Sequence, residues 1–313
     1  MADDEFERIR GLMQRFRHDS AAVQLGIGDD AAVLHASPEP IVLSVDAAVQ
    51  GVHFEPAFAS YEQIGARAFT AAVSDLAAMG STPLAALCSL IVPATLARAD
   101  FDALNAGLAA AAERYACPVI GGNLAAGGAL SITTTVIGKL EGAGLYRSGA
   151  RAGDDVYVSG PLGSAALGLR LLQLGEAESG PAFVEAFRAP CARISHGQKL
   201  AGAATSAIDV SDGALQDLGH ICVASGLGAE IEAARVPLAP GMRELAQSLG
   251  EDPLRLALQG GEDYELLYTL PPGAEDPCGG TRIGRMSSER SALHVVDERG
   301  QRIALSGHGY RHF

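Results

Sequence analysis

The sequence contains no tryptophan, and aromatic residues make up only 5% of its 313 positions. Lysine is almost as scarce: Lys139 and Lys199 stand alone, and arginine carries the rest of the positive charge. With 23 basic residues against 37 acidic ones, the formal net charge is −14. A chain this short of positive charge repels polyanions, which argues against general nucleic-acid binding and against adsorption to anionic membranes. Cysteine is sparse too. Cys88, Cys117, Cys191, Cys222 and Cys278 lie far apart with no C-x-x-C pair. An odd count at that spacing suits neither a disulfide framework nor a zinc site, and predicts reduced, intracellular thiols. The N-terminal Met-Ala-Asp-Asp-Glu-Phe-Glu-Arg is acidic where a signal peptide is basic and then apolar. The uncharged stretch from Leu76 to Ala97 is broken by Gly80, Pro83 and Pro93. It reads as a helix end followed by a strand, not as a membrane span. These features lead us to expect a cytoplasmic protein.

What is present is a composition 48% hydrophobic with 38 glycines, enough for a large core and many tight turns, and a length that suggests two domains. The apolar spacing of Phe6, Ile9, Met13 and Phe16 predicts a helix over 5–17. Strands are expected at 23–27, 32–35 and 41–45, the last apolar enough to be buried. A helix over 61–79 closed by Gly80, a strand over 85–92, an alanine-rich helix over 101–116, a short strand over 118–120 ending at Gly121-Gly122, and a strand over 130–140 follow. The glycine- and arginine-bearing region 142–153 reads as the join between halves, giving domains 1–145 and 146–313. Beyond it, 155–159, 265–270 and 294–296 read as strands, 164–174, 193–206 and 212–225 as helices, and 175–190 as a connection. Strands and helices alternate with some short strand–strand links, which favours α+β over a doubly wound sheet.

The common nucleotide and hydrolase signatures are missing: there is no G-x-x-x-x-G-K-[ST], G-x-G-x-x-G, H-R-D, G-x-S-x-G or H-E-x-x-H. What stands out is a set of aspartates in apolar or glycine-rich settings. Asp29 and Asp30 follow Gly26-Ile-Gly28, and Asp46 follows an apolar strand. Asp75 has Ala68, Ala71, Ala72, Ala78 and Met79 as its helical neighbours. A carboxylate buried there needs a partner or a metal; a salt bridge to Arg67 or a helix end tipped into solvent is the alternative. Asp209, Ser211 and Asp212 lie between a strand and a new helix, where one of them is expected to act as N-cap. Gly260-Gly-Glu-Asp-Tyr-Glu265 is an acidic turn whose glycines let backbone amides approach a ligand. Five carboxylate clusters at strand ends and helix starts suit hard divalent cations, Mg²⁺ above all, bridging to phosphate. Gly121-Gly122, Arg147 and Arg151 are candidates to face those phosphates.

Taken in order, Gly26-Ile-Gly-Asp-Asp30, Ser44-Val-Asp46, Gly51-Val-His-Phe54, Ser74-Asp-Leu-Ala-Ala-Met-Gly80, Gly121-Gly122, Arg147-Ser-Gly149, Ile208-Asp-Val-Ser-Asp-Gly213, Gly260-Gly-Glu-Asp-Tyr-Glu265 and Gly309-Tyr-Arg-His-Phe313 resemble the thiamine-monophosphate kinases of the aminoimidazole-ribonucleotide-synthetase-like superfamily. The resemblance spans essentially the whole chain. It implies a two-domain α+β fold, with an N-terminal α/β domain whose strands build a barrel across a homodimer and a C-terminal α+β domain. It implies ATP- and Mg²⁺-dependent phosphorylation of thiamine monophosphate to thiamine diphosphate. By the same resemblance, Asp30, Ser44, Val45, Asp46, Asp75, Asn123, Asp209 and Asp212 match metal positions. Gly122, Asn123, Arg147 and Ser211 match ATP contacts, and His53, Glu262 and Gly307 match contacts to the thiamine phosphate. Asp30, Asp46, Asp75 and Asp212 are then the central catalytic carboxylates.

The chemistry agrees with this. The acceptor is itself a phosphate, largely dianionic at neutral pH, and needs no general base. The difficulty is to bring two polyanions together in line, which requires cations. The chain also departs from the family pattern. Val45 stands for the usual Thr, Asn123 for an Asp, Ala72 for a common Asn, and Gly307 for a large aromatic, leaving Tyr310 to stack on the substrate. A sister ATP-dependent synthetase and a non-catalytic nucleotide-binding relative are the alternatives. The acidic turn at 260–265 and the Gly-Tyr-x-His-Phe ending favour the kinase.

Overall fold

The structure, a computed structural model, describes residues 11–16, 20–27, 31–290 and 292–305. The chain divides into two compact units, one formed by 1–76 with 82–141 and the other by 77–81 with 142–313. Residues 11–15 are helical (α1), and the expected continuation over 5–10 lies outside the described residues. A small antiparallel pair, β1 (Val23–Leu25) and β2 (Val33–Leu34), follows.

The first unit is built on a four-stranded sheet in the order β3 (Ile41–Val49), β6 (Ser131–Lys139), β4 (Thr82–Pro93), β5 (Val119–Gly127). β6 is antiparallel to both its neighbours, whereas β4 and β5 run parallel. The reason for strand here is visible in Ser-Ile-Thr-Thr-Thr-Val-Ile: Ile132, Thr134 and Val136 are buried and the residues between them are not, a period of two. The long helices α2 (Tyr61–Ala78) and α3 (Arg98–Arg114) belong to this part of the chain. They contribute fully buried Phe69, Val73, Leu76, Leu104 and Leu108 to its core.

Two expectations for this unit are overturned. β3 is not a buried strand: Leu43 and Val45 are 67% and 63% exposed, with Ile41 beside them, while Ser44 between them is half-buried. An apolar run reads as buried on both faces, yet the sheet face that carries Ile41, Leu43 and Val45, together with Leu87 and Ile91 of the interior strand β4, is open. The strand expected to end at Gly121-Gly122 instead runs through both glycines to Gly127, because pairing with β4 in register supplies the order that glycine propensity alone does not.

The second unit holds a six-stranded sheet in the order β12 (Leu293–Val296), β9 (Gly228–Glu232), β11 (Thr281–Ser287), β7 (Asp155–Val158), β10 (Leu266–Leu270), β8 (Ser206–Asp209). Only the β12–β9 pair is parallel. Its helices are α4 (Ser164–Leu174), α5 (Pro181–Arg188), α6 (Ile194–Leu200), α7 (Ala214–Ser225), α8 (Met242–Ser248) and α9 (Pro253–Gln259). Val156, Val158, Ile208, Leu218, Ile221 and Ile231 join strands and α7 in one core cluster. The stretch 175–190, expected as a connection, contains α5; its short Phe183, Val184, Phe187 face is buried by packing and is too brief for a periodic signal. The helix expected over 193–206 stops at Leu200, and Ser206 already begins β8. No described helix is long and apolar enough to cross a membrane, and all five cysteines are free thiols.

Candidate functional site

In the first unit the period-two geometry of β3 sends Ser44 and Asp46 to one side and Val45 to the other. The Ser44 hydroxyl donates to the Asp75 carboxylate on α2, so these two site residues meet. Both are half-buried. Asp46 is exposed, and its carboxylate accepts the Ala47 N–H at 2.8 Å. Just beyond β3, His53 Nδ1 accepts the Val49 N–H at 3.1 Å. That contact leaves the ring proton on Nε2, which is then a donor suited to an anion. On β5, Gly122 pairs with Cys88 so closely that a Cβ would lie 1.8 Å from the Cys88 carbonyl oxygen. Only glycine fits there. Asn123 beside it is exposed. Asp30, with Asp29, lies outside the described residues.

In the second unit the segment 209–213 leaves β8 and enters α7. Asp209 is buried at the strand end, while Ser211 and Asp212 are half-buried. None of the three caps the helix: the N-cap is Gly213, without a side-chain cap. Asp217, one turn inside α7, does the work instead. Its Oδ2 accepts the N–H groups of Ser211 (3.2 Å), Asp212 (3.3 Å) and Gly213 (3.2 Å). A loop that turns away from the helix axis places three donors over an internal carboxylate, which a local capping rule does not foresee. Asp212 also accepts from Gln216 Nε2 at 3.0 Å.

The turn 260–265 lies against this loop. Glu262 N–H donates to Ser211 O at 2.8 Å and Tyr264 N–H to Val210 O at 2.9 Å. A Cβ on Gly261 would come within 2.1 Å of Ser211 O, so the approach requires glycine. Arg147 is exposed in the same unit, and its carbonyl accepts from the Ser225 hydroxyl at 3.3 Å. Gly307 and Tyr310 lie outside the described residues.

Sequence reasoning passed over Asp217 and His220. Together with Asp212 they present ligand-type atoms within 4.8 Å of one another. The available signal was a charged residue among Leu215, Leu218 and Ile221 on an otherwise apolar helix. Burial, and then the nearby Asp209 and Asp212 charges, push the Asp217 carboxyl up to about 8. The carboxylates of Asp212 and Asp217 are hard oxygen donors of the kind Mg²⁺ takes, whereas the His220 imidazole beside them is not.

A family model described as "AIR synthase related protein, N-terminal domain" matches residues 28–140. Over its whole length the chain is 36% identical to the thiamine-monophosphate kinase of Escherichia coli (strain K12), covering 99% of that protein. The chain belongs to the thiamine-monophosphate kinase family. The fold agrees with that membership. The crystal structure of thiamine-monophosphate kinase from Stenotrophomonas maltophilia K279a superposes with a TM-score of 0.82 at 34% identity, covering 92% of this chain and 94% of that one. AaThiL complexed with AMPPCP and TMP gives the same TM-score of 0.82 at 32% identity, covering 99% of this chain and 97% of that one. This family member therefore has the two-unit α+β architecture expected from its motifs. Among the described residues, the first unit's sheet is open rather than a closed barrel.

Proposed function

We propose that this member of the thiamine-monophosphate kinase family transfers the γ-phosphoryl group of ATP to the phosphate of thiamine monophosphate. A terminal oxygen of the acceptor phosphate forms a bond to the γ-phosphorus, the bond to the β–γ bridging oxygen breaks, and ADP leaves. The acceptor oxygen is already anionic, so no side chain has to remove a proton. Beyond family membership, one observation of the fold carries the reading. Asp212 and Asp217 bring carboxylate oxygens within 4.8 Å of one another, close in sequence to Asp209 at the end of β8, an arrangement that a cation, and through it a phosphate, can neutralise.

In this reading several Mg²⁺ ions are held, by Asp30, Ser44, Asp46, Asp75 and Asn123 of the first unit, with Val45 contributing through its backbone carbonyl, and by Asp209 and Asp212 of the second. When bound, Mg²⁺ neutralises phosphate charge. Gly122 and Asn123 of the first unit and Ser211 and Arg147 of the second contact the nucleotide, Arg147 with a guanidinium fork. His53, through its Nε2–H, and Glu262 hold the thiamine phosphate, with Gly307 at the same subsite. The relative complexed with AMPPCP and TMP supports this pairing of substrates.

We also propose that the protein is a homodimer joined through the open face of the first unit's sheet. Ile41, Leu43 and Val45 on β3 and Leu87 and Ile91 on β4 share that face through the register with β6 and are exposed in the single chain. An apolar face of this extent is covered in a stable protein, and a two-fold arrangement covers it with itself.

Product analysis after mixing the protein with ATP, Mg²⁺ and thiamine monophosphate tests the reaction. Equal amounts of thiamine diphosphate and ADP are expected. Nucleotide binding without thiamine diphosphate would overturn the proposal in favour of a non-catalytic relative.

A further inference from the structure

The turn that carries Glu262 is held in an unfavourable shape. Glu262 has φ of 69° and Tyr264 φ of 51°, both in the left-handed region that residues with a Cβ avoid. Such a backbone persists only where its surroundings over-determine it. Three backbone hydrogen bonds tie one side of the turn to the 210–211 strand end: Val210 N–H to Glu265 O (2.8 Å), Tyr264 N–H to Val210 O (2.9 Å) and Glu262 N–H to Ser211 O (2.8 Å).

On the other side the tie is a side chain. Asp263, between the two left-handed residues, takes the Gly163 N–H on Oδ2 at 2.6 Å and the Ala165 N–H on Oδ1 at 3.2 Å. These are N-terminal donors of α4, which has no cap of its own at Gly163. The anchor is rigid. A Cβ at Gly163 would lie 2.6 Å from Met242 Cε and 2.7 Å from the Ala257 backbone, and Leu162 and Leu167 on either side are fully buried. Both carboxylate oxygens of Asp263 are thus committed to a fixed helix end, 100 residues away in sequence.

We propose that Asp263 is a positioning residue of the thiamine-phosphate subsite: by pinning the 262–264 backbone to the N-terminus of α4, it sets where Glu262 sits. The inference rests on the reading of Glu262 as a substrate contact. It deepens that reading by naming what holds the contact in place.

The test compares Asp263→Ala, Asp263→Asn and Glu262→Ala by steady-state kinetics in the Mg²⁺-loaded enzyme, varying thiamine monophosphate and ATP separately. Asp263→Ala is expected to raise KM for thiamine monophosphate about tenfold, the loss of one to two hydrogen bonds' worth of positioning, and to leave KM for ATP within about twofold. Asp263→Asn keeps one acceptor oxygen and is expected to restore part of the loss in the same constant. The inference is overturned if Glu262→Ala raises KM for thiamine monophosphate while neither Asp263 variant does, or if both KM values rise together with a general loss of stability. Should Asp263→Ala not fold, an Asp263→Asn enzyme with wild-type KM overturns it equally. A Glu262→Ala enzyme with unchanged KM would instead sink the substrate-contact reading, and the inference with it.

Discussion

The hydroxyl of Ser44, on an edge strand, donates to the carboxylate of Asp75, on the helix α2, across 31 residues of sequence. The contact selects one orientation of the Asp75 carboxylate, as an outer partner does for a metal ligand. Removing it by Ser44→Ala is expected to raise the Mg²⁺ concentration for half-maximal rate about tenfold, and Asp75→Asn to raise it about 100-fold. Mg²⁺ titration of initial rates is the measurement; equal curves for wild type and Ser44→Ala would show that the hydroxyl does not orient a metal ligand.

Asn123 offers an amide oxygen where the family pattern has a carboxylate. An amide ligates Mg²⁺ without neutralising it. Asn123→Asp should therefore shift the Mg²⁺ titration to lower concentration. No shift would place residue 123 outside the metal site.

Asp217 accepts three backbone N–H groups of the 211–213 loop. Asp217→Leu strands those donors and is expected to cost about 1–3 kcal/mol of stability as well as raising KM for ATP, because Ser211 lies on the freed loop. Asp217→Asn retains an acceptor and should recover most of both. Thermal melts together with nucleotide KM values check this; an Asp217→Leu enzyme that binds ATP normally would contradict it.

Burial pushes the Asp263 carboxyl up to about 7, against the opposing pull of the Gly163 and Ala165 N–H groups. Between roughly pH 4 and pH 7 the folded chain then keeps a proton that the unfolded chain has released, so this group's contribution to stability falls as pH rises through that window. Asp263→Asn removes the titration. Its melting temperature should fall less steeply than that of wild type from pH 4.5 to 7 in metal-free buffer, and parallel slopes would refute the assignment.

Leu43 and Val45 place apolar surface on the open face of the first sheet. A Leu43→Glu, Val45→Lys double variant is expected to sediment as a monomer where wild type sediments as a dimer. A wild-type chain that is already monomeric at micromolar concentration would exclude the face as a dimer contact.

How much of this was legible in the sequence varies by element. β6 and α4 were readable because local spacing and local burial agree: the alternating Ser-Ile-Thr-Thr-Thr-Val-Ile of β6, and the 164–174 helix whose bounds coincide with the expected ones. The strand β5 through Gly121-Gly122 was not, since glycine has no strand preference and its order comes from the neighbouring β4. The acidic residues Asp46, Asp75, Asp209 and Asp212 stood out because carboxylates in apolar settings require an explanation.

Composition and motif order were sufficient to determine the family, the dearth of lysine, and the lack of a lysine-bearing phosphate-loop motif. Those properties follow from which side chains the chain carries. Only the tertiary structure decided which of them meet. That Ser44 faces Asp75, that Asp217 rather than Asp209, Ser211 or Asp212 serves the helix start, and that Asp263 reaches α4 all depend on contacts between segments from five to 100 residues apart. Local propensity contains no term for such distances. They are fixed by sheet register and by the burial of apolar faces, which bring remote backbone donors to a carboxylate and leave it no other low-energy partner.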